Sequence, residues 1–268
     1  MDDKIKCMFP RRVDADLVAA LPIVKCPCEI ALVDSDAALD AALGEIRRET
    51  LLGFDTETRP SFSKTQHYKV SILQLAGENK AWVIRLIPLL HRLDDIYAIL
   101  ADKSIKKAGL AVNGDIRSLS QRQKFQPAGF IDVSHFSTKM GIINTGMKNL
   151  AALFLGERVS KASQMSNWEA PELTRKQIDY AATDAWMSRR LYLEVKKVVD
   201  EKKFDVEPEP EPEPQKLSFA DRLKSFFSKA KTLCNKLRRA IKKAIKPKPP
   251  RKRRRKRRRG RGRSGGGA

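Results

Sequence analysis

The sequence predicts an α/β protein built on a mixed central sheet flanked by helices, with a basic helix and a disordered tail after it. Three observations carry this expectation. Short Val-, Ile- and Leu-rich runs bounded by polar turns recur between residues 28 and 112 and read as strands. Three of these runs are adjacent before helix and strand begin to alternate, which calls for both antiparallel and parallel pairing in one sheet. Beyond Phe204 the composition shifts abruptly to Glu-Pro repeats and then to Lys and Arg.

The first strand is "CEIALV", short and apolar. "DSDAALDAALGEIRRE" follows with helical spacing and a cap expected at Asp34 or Asp36. "LLGFDTE", "KVSILQLAG" and "AWVIRL" are the three successive strands. "IPLLHRLDDIYAILAD" returns to the helical period, "IKKAGLAV" reads as a strand, and "NGDIRSLSQRQ" opens another helix. The later segments are helical and end in the long stretch "TRKQIDYAATDAWMSRRLYLEVKKVVDEKK". The expected boundaries are an N-terminal extension over 1–27, a folded domain over 28–204, an acidic linker over 205–215, a basic amphipathic helix over 216–246 and a disordered tail over 247–268.

The net charge of +22 is not spread along the chain. From Lys216 onward there are 23 Lys and Arg against the single acid Asp221, and the first 215 residues carry 31 basic and 31 acidic residues. The excess charge is therefore an appendage suited to a polyanion. Between body and appendage, "EPEPEPEP" lacks backbone donors at every second residue and favours extended polyproline geometry, so it reads as a semi-rigid spacer. In the appendage, Ala220, Leu223, Phe227, Ala230, Cys234, Leu237, Ile241 and Ala244 recur at intervals of three and four, giving one apolar stripe opposite a basic face. Such a helix suits nucleic acid, an anionic membrane surface or a partner helix. The terminal "KPKPPRKRRRKRRRGRGRSGGGA" has almost nothing to bury and is expected to be disordered when free.

Cysteines at 7, 26, 28 and 234 form no paired framework, and Cys26 and Cys28 have no second Cys or His pair to complete a zinc site. They read as reduced thiols, and the charged N-terminus without an apolar segment argues against a secretory signal. The expected location is cytoplasmic. His67, His91 and His135 show no spacing that suggests catalysis, and "GLAVNG" lacks the Lys and Ser/Thr of a phosphate-binding loop.

The chemistry concentrates in acids. Asp55 and Glu57 lie two residues apart at the end of a buried strand, so their side chains leave the same face about 7 Å apart along the chain and converge on one cation. Asp115 follows the strand "KKAGLAV" at the start of a helix, and Asp184 lies within the last helix. Tyr180 precedes Asp184 by four residues, which puts both on one helical face. Hard oxygen ligands without histidine select Mg²⁺ or Mn²⁺ over zinc.

The motifs "FDTET", "VNGDIRSL" and "YAATDA" resemble, in order, the three motifs of the DEDD 3′–5′ exonucleases in their Tyr-containing subclass, over about Glu29 to Lys203. "KVSILQLA", "KNLAALFLG" and "KASQMSNWEAPELTRKQIDYAATDA" extend the likeness toward the ribonuclease D and Werner-type exonuclease branch, and "GFDTETRPSF" is similar to a bacterial group within it. A bacterial origin makes association of the basic tail with the nucleoid a compatible expectation. The resemblance implies an RNase H-like fold and hydrolysis of phosphodiesters from the 3′ end of DNA or RNA with two ions. Asp55 would bridge the ions, Glu57 and Asp184 would complete one shell, Asp115 would hold the second ion through water, and Tyr180 would orient the attacking water. It also places Lys161, Asn167 and Trp168 against the substrate, with Trp168 either stacking on a base or filling the core. The competing expectation is a non-catalytic nucleic-acid-binding or tethering protein on the same scaffold, which a missing acid would have favoured; all four are present.

Overall fold

The computed structural model describes residues 12–63 and 65–201. The linker, basic helix and tail expected beyond residue 204 lie outside the described residues, as do Cys7 and Cys234. In chain order the elements are α1 (Ala15–Ala20), β1 (Glu29–Val33), α2 (Asp36–Ile46), β2 (Leu51–Glu57), β3 (Ile72–Ala76), β4 (Lys80–Arg85) and a 3₁₀ turn at Leu90–Arg92. Then come α3 (Leu93–Ala101), β5 (Lys106–Gly109), α4 (Val112–Ser120), β6 (Phe130–Asp132), α5 (Val133–Lys139), α6 (Met147–Leu155) and α7 (Arg175–Asp200).

The six strands form one sheet in the order β1-β4-β3-β2-β5-β6. β2, β3 and β4 are joined antiparallel, while β1 pairs with β4, β5 with β2 and β6 with β5 in parallel, so the sheet is mixed. Alternation along each strand feeds two cores. Leu52, Phe54, Leu73, Leu75, Trp82 and Ile84 meet α2 and α3 on one face. Ile72, Ala76, Ala81 and Val83 meet Ala181, Ala182 and Ala185 of α7 on the other. The small residues of α7 bring that helix down onto the sheet, and α5 and α6 pack against its far side through Val133, Leu150 and Leu191.

Several local expectations are corrected. α2 is capped by Ser35, whose hydroxyl accepts from Ala38 N at 3.4 Å. Asp36 instead sits in the first turn and faces His91 at 2.9 Å. The strand expected through Val112 ends at Gly109, because Ala111 adopts a left-handed conformation (φ 53°) and α4 begins at the next residue. That conformation is costly for a residue with a side chain. Here the Ala111 N–H is held by the Asp132 carboxylate at 3.0 Å, from the end of β6. β6 itself is three residues long and carries no readable alternation. The described part of the N-terminal extension packs on the body. Ile23 bridges Arg158 in parallel, Val24 N–H donates to Arg158 O at 3.0 Å, and Val18 of α1 is buried.

A lysine sits in the core. Lys107 on β5 is fully buried, its ammonium donating to the carbonyls of Ile99 (3.2 Å), Asp102 (2.6 Å) and Ile105 (2.7 Å) beside the Phe130 ring. It satisfies carbonyls left over where α3 ends, and burial draws its pKa down to about 8.

β2 and α7 approach each other closely at Gly53. A Cβ placed on Gly53 would lie 1.8 Å from the Ala185 carbonyl oxygen and 2.9 Å from Arg189 N, whereas one on Gly44, inside α2, would meet nothing within 4 Å. Gly53→Ala must push two backbones apart. It is expected to lower Tm by roughly 3 °C or more, since overpacking costs about 1–3 kcal/mol and about 2–4 °C accompanies each kcal/mol at this size. Gly44→Ala should leave Tm unchanged or raise it, because alanine gains up to about 1 kcal/mol over glycine in a helix. Thermal melts of the two variants side by side check the contrast.

Candidate active site

β2 ends at the catalytic face and carries Asp55 and Glu57 on the side toward α7. α7 starts from a capping box, in which Thr174 Oγ1 accepts from Gln177 N and the Gln177 side chain accepts from Thr174 N at 3.0 Å. Two turns later it presents Tyr180 and Asp184 one above the other, as their spacing requires. Carboxylate oxygens of Asp55, Glu57 and Asp184 all lie within 4.8 Å of one another. Among the described residues no other set of His, Cys, Asp and Glu converges in this way.

Asp115 reaches the same region from the first turn of α4, outside that tight group of three. Its Oδ1 accepts from Thr56 Oγ1 at 2.5 Å, so the residue between Asp55 and Glu57 fixes the fourth acid. The left-handed turn at Ala111 aims α4 so that this bond forms. Thr56 was not singled out from the sequence, and its role is set by a partner 59 residues away.

Electrostatics mark the cluster as short of positive charge. Burial, then the charges of Asp184 and Asp115, hold Asp55 far above the ordinary carboxylate range. Burial first, then repulsion from Asp55, Asp184 and Asp115, pushes Glu57 up to about 9. Asp184 is raised to about 7 by burial, opposed by a hydrogen bond from the Tyr180 hydroxyl and by the field of Lys161. Asp115 is also raised by burial, against the Thr56 hydroxyl. Burial and the neighbouring carboxylates raise Tyr180 too, so its phenol stays protonated at neutral pH. Converging hard oxygens that repel one another fit divalent cations, and the donor set contains neither the nitrogen nor the sulfur that zinc prefers.

Asp55, Glu57 and Asp184 open onto a cavity of about 390 Å³, whose other walls include Lys148, Asn149, Lys161 and Gln164. Lys161 is exposed there. Trp168 is not. It is 1% exposed, packs in the core against Ala181 and Ala185, and lies 6.0 Å from the Tyr180 ring, so of the two roles open to it the structure shows the core one. Asn167 is also outside the cavity. Its carboxamide accepts from Glu169 N at 3.1 Å and its carbonyl from Gln177 Nε2 at 3.2 Å, which tie the loop to the start of α7. Lys148 and Asn149, at the start of α6, belong to "KNLAALFLG" and are brought to the cavity by the packing of α6 on α7. Cys26 and Cys28 are free, and burial pushes the Cys26 thiol up to about 12, which leaves it unreactive. No helix among the described residues is long and apolar enough to cross a membrane.

A six-stranded mixed sheet with a carboxylate cluster where its central strand meets a long helix defines the RNase H-like exonuclease class of fold. Residues 30–200 match the 3′–5′ exonuclease family, and the chain belongs to it. The chain is 28% identical over 195 residues to the exonuclease mut-7 homolog of Aedes aegypti, covering 62% of this chain and 26% of that protein. It is 27% identical over 164 residues to ribonuclease D of Gluconacetobacter diazotrophicus, covering 60% of this chain and 41% of that one. It thus spans well under half the length of either relative. The crystal structure of Trypanosoma brucei RNase D in complex with RNA U12 superposes with a TM-score of 0.57 at 17% identity, over 69% of this chain and 66% of that one.

The raised carboxyls make the stability of the site depend on pH. Glu57 keeps its proton up to about pH 9 in the folded chain and loses it near 4.5 when unfolded. Between those values the folded state holds more protons, so the stability from this group is full below the lower value and is lost as pH rises through the upper one. In EDTA, Tm is expected to fall between about pH 5 and pH 9, and Asp184→Asn, which removes one repelling charge, to flatten that fall. Adding Mn²⁺ at pH 8 should raise the wild-type Tm and leave Asp184→Asn less affected. Differential scanning fluorimetry over a pH series reads all three.

Proposed function

We propose that this chain is a divalent-metal-dependent 3′–5′ exonuclease that hydrolyses phosphodiesters at nucleic-acid 3′ ends. The observation that carries the reading is the convergence of Asp55, Glu57 and Asp184 within 4.8 Å at the floor of a cavity. Family membership supports the reaction class. The RNA-bound neighbour supports nucleic acid as its substrate.

The residues divide the work. Asp55, Glu57 and Asp184 would hold Mg²⁺ or Mn²⁺, with Asp115, steadied by Thr56, completing a two-ion site. When bound, two such ions offset charge on the attacking and leaving oxygens and make water more acidic. Tyr180 is anchored through its hydroxyl to Asp184. Because that phenol remains protonated, it orients the attacking water by hydrogen bonding and does not act as a resting base. Lys161 and Lys148 face the same cavity and supply cationic contacts for the substrate's phosphates. The basic segment beyond Lys216 adds sequence-independent affinity by releasing counterions, a reading that rests on its charge alone.

Purified protein with Mg²⁺ or Mn²⁺ on end-labelled DNA and RNA of identical sequence tests the reading. Stepwise shortening from the 3′ end is the expected result, and absence of nucleolysis on every substrate overturns it. Asp55→Ala should abolish the activity while leaving the far-UV spectrum unchanged. Tyr180→Phe loses a water-orienting hydroxyl and no metal ligand, so kcat should fall roughly tenfold to a thousandfold with Mn²⁺ affinity unchanged.

Truncation after Gln215 removes the whole excess charge. It is expected to raise KM on long substrates and leave kcat unchanged, because contacts remote from the scissile bond are equal in ground and transition states. The slope of log affinity against log salt should flatten by about 0.7 to 0.9 per lost phosphate contact. An unchanged slope would assign the segment to a membrane surface or a protein partner.

A further inference from the structure

Gln74, in the middle of β3, is fully buried, and neither its Nε2 nor its Oε1 has a hydrogen-bond partner. A buried primary amide left unpaired is worse for folding than a leucine or methionine of similar shape. The question is what the amide serves.

The sheet register answers it. On β3, Leu73 and Leu75 point into the core beneath α2 and α3, so Gln74, between Ile72 and Ala76, points to the α7 side, which is the side of the active site. Across the antiparallel ladders its direct partners are Asp55 on β2 and Val83 on β4. The diagonal neighbours on the same face are Gly53 and Glu57 on one side and Ala81 and Arg85 on the other. The Arg85 guanidinium is engaged elsewhere, by the carbonyls of Ala170 (2.5 Å) and Pro171 (2.6 Å). Among the sheet neighbours the remaining polar side chains are Asp55 and Glu57, and directly opposed residues in an antiparallel pair have Cβ atoms about 4.5–5.5 Å apart, whereas Ser188 of α7, also buried without a partner, carries no charge for an amide donor to meet. Asp55 accepts from Thr56 N at 2.9 Å, and a carboxylate has about four acceptor sites, so capacity for an amide donor remains.

We propose that Gln74 is the positioning residue of Asp55: by rotation of its side chain from the unpaired position, its Nε2 donates to the Asp55 carboxylate and fixes the orientation in which that carboxylate would bind a metal. On this face the β3 neighbours of Asp55 are Ile72, Gln74 and Ala76, so Gln74 is the polar side chain that β3 offers it. Outer partners of this kind orient metal-binding carboxylates and shift metal affinity by roughly ten- to a hundredfold when removed. Glutamine at this position is a local cost to packing that is recovered at the site.

The inference rests on the metal-dependent reading above, and the test separates the two. Full-length wild type, Gln74→Met and Gln74→Leu are titrated with Mn²⁺ by calorimetry and melted in EDTA. The expected result is Mn²⁺ affinity weakened roughly ten- to a hundredfold in both variants, with Tm in EDTA equal to or above wild type. The Mn²⁺ concentration for half-maximal activity should rise in the same ratio, and KM for an oligonucleotide should stay within about twofold, since Gln74 touches no substrate. Unchanged Mn²⁺ affinity in folded variants overturns the role of Gln74 while leaving the metal site standing. Variants that lose stability in EDTA, or do not fold, make the amide a structural group and overturn it as well. A wild type that binds no Mn²⁺ overturns the metal reading itself, and this inference with it.

Discussion

The active site depends on a side chain that is not there. Gly53 lets the Ala185 carbonyl of α7 settle onto the backbone of β2, at a distance where even a methyl group would overlap it. Asp55 and Glu57 come from the strand and Tyr180 and Asp184 from the helix, so the separation of those two backbones sets how closely these side chains converge. Ala181, Ala182 and Ala185 continue the same logic along the helix, keeping its underside small where it crosses β3 and β4. A packed interface of this kind transmits displacement with little loss, because protein interiors have few voids to absorb it.

Against this tight contact stands an electrostatic cost. Four acids share one region; burial raises all of them, and repulsion from the other acids adds to it at Asp55 and Glu57. The folded chain tolerates this because the elements carrying the acids are anchored elsewhere. β2 lies inside the sheet between β3 and β5, α7 begins at a capping box and is covered by α5 and α6, and Asp115 is tied back to Thr56. Charge repulsion that would open a mobile loop is here contained by rigid elements. The same arrangement explains why Trp168 lies where it does. Buried against Tyr180, it supports the ring whose hydroxyl holds Asp184.

The buried polar groups show two ways of treating the same problem. Lys107 meets three carbonyls near the end of α3 and is complete within the fold. Gln74 meets none and stands opposite a carboxylate. Satisfied and unsatisfied groups at similar depth point to stability in the first case and to the site in the second.

The sequence by itself determined the fold class, the central strands, the long last helix and the identity of the acids. Those features are local: a strand's alternation, a four-residue spacing between Tyr180 and Asp184, two carboxylates on one side of a pleat. Tertiary structure decided what depends on distant partners. It selected Ser35 over the neighbouring acids as the α2 cap, ended β5 at Gly109 through the left-handed turn at Ala111, and made a strand of three residues at β6 by pairing it with β5. It also buried Trp168, withdrew Asn167 into a loop tie, and brought Lys148 and Asn149 to the cavity. None of these is encoded in a period or a propensity, because each follows from which backbones touch, and that is settled only when the helices close over the sheet.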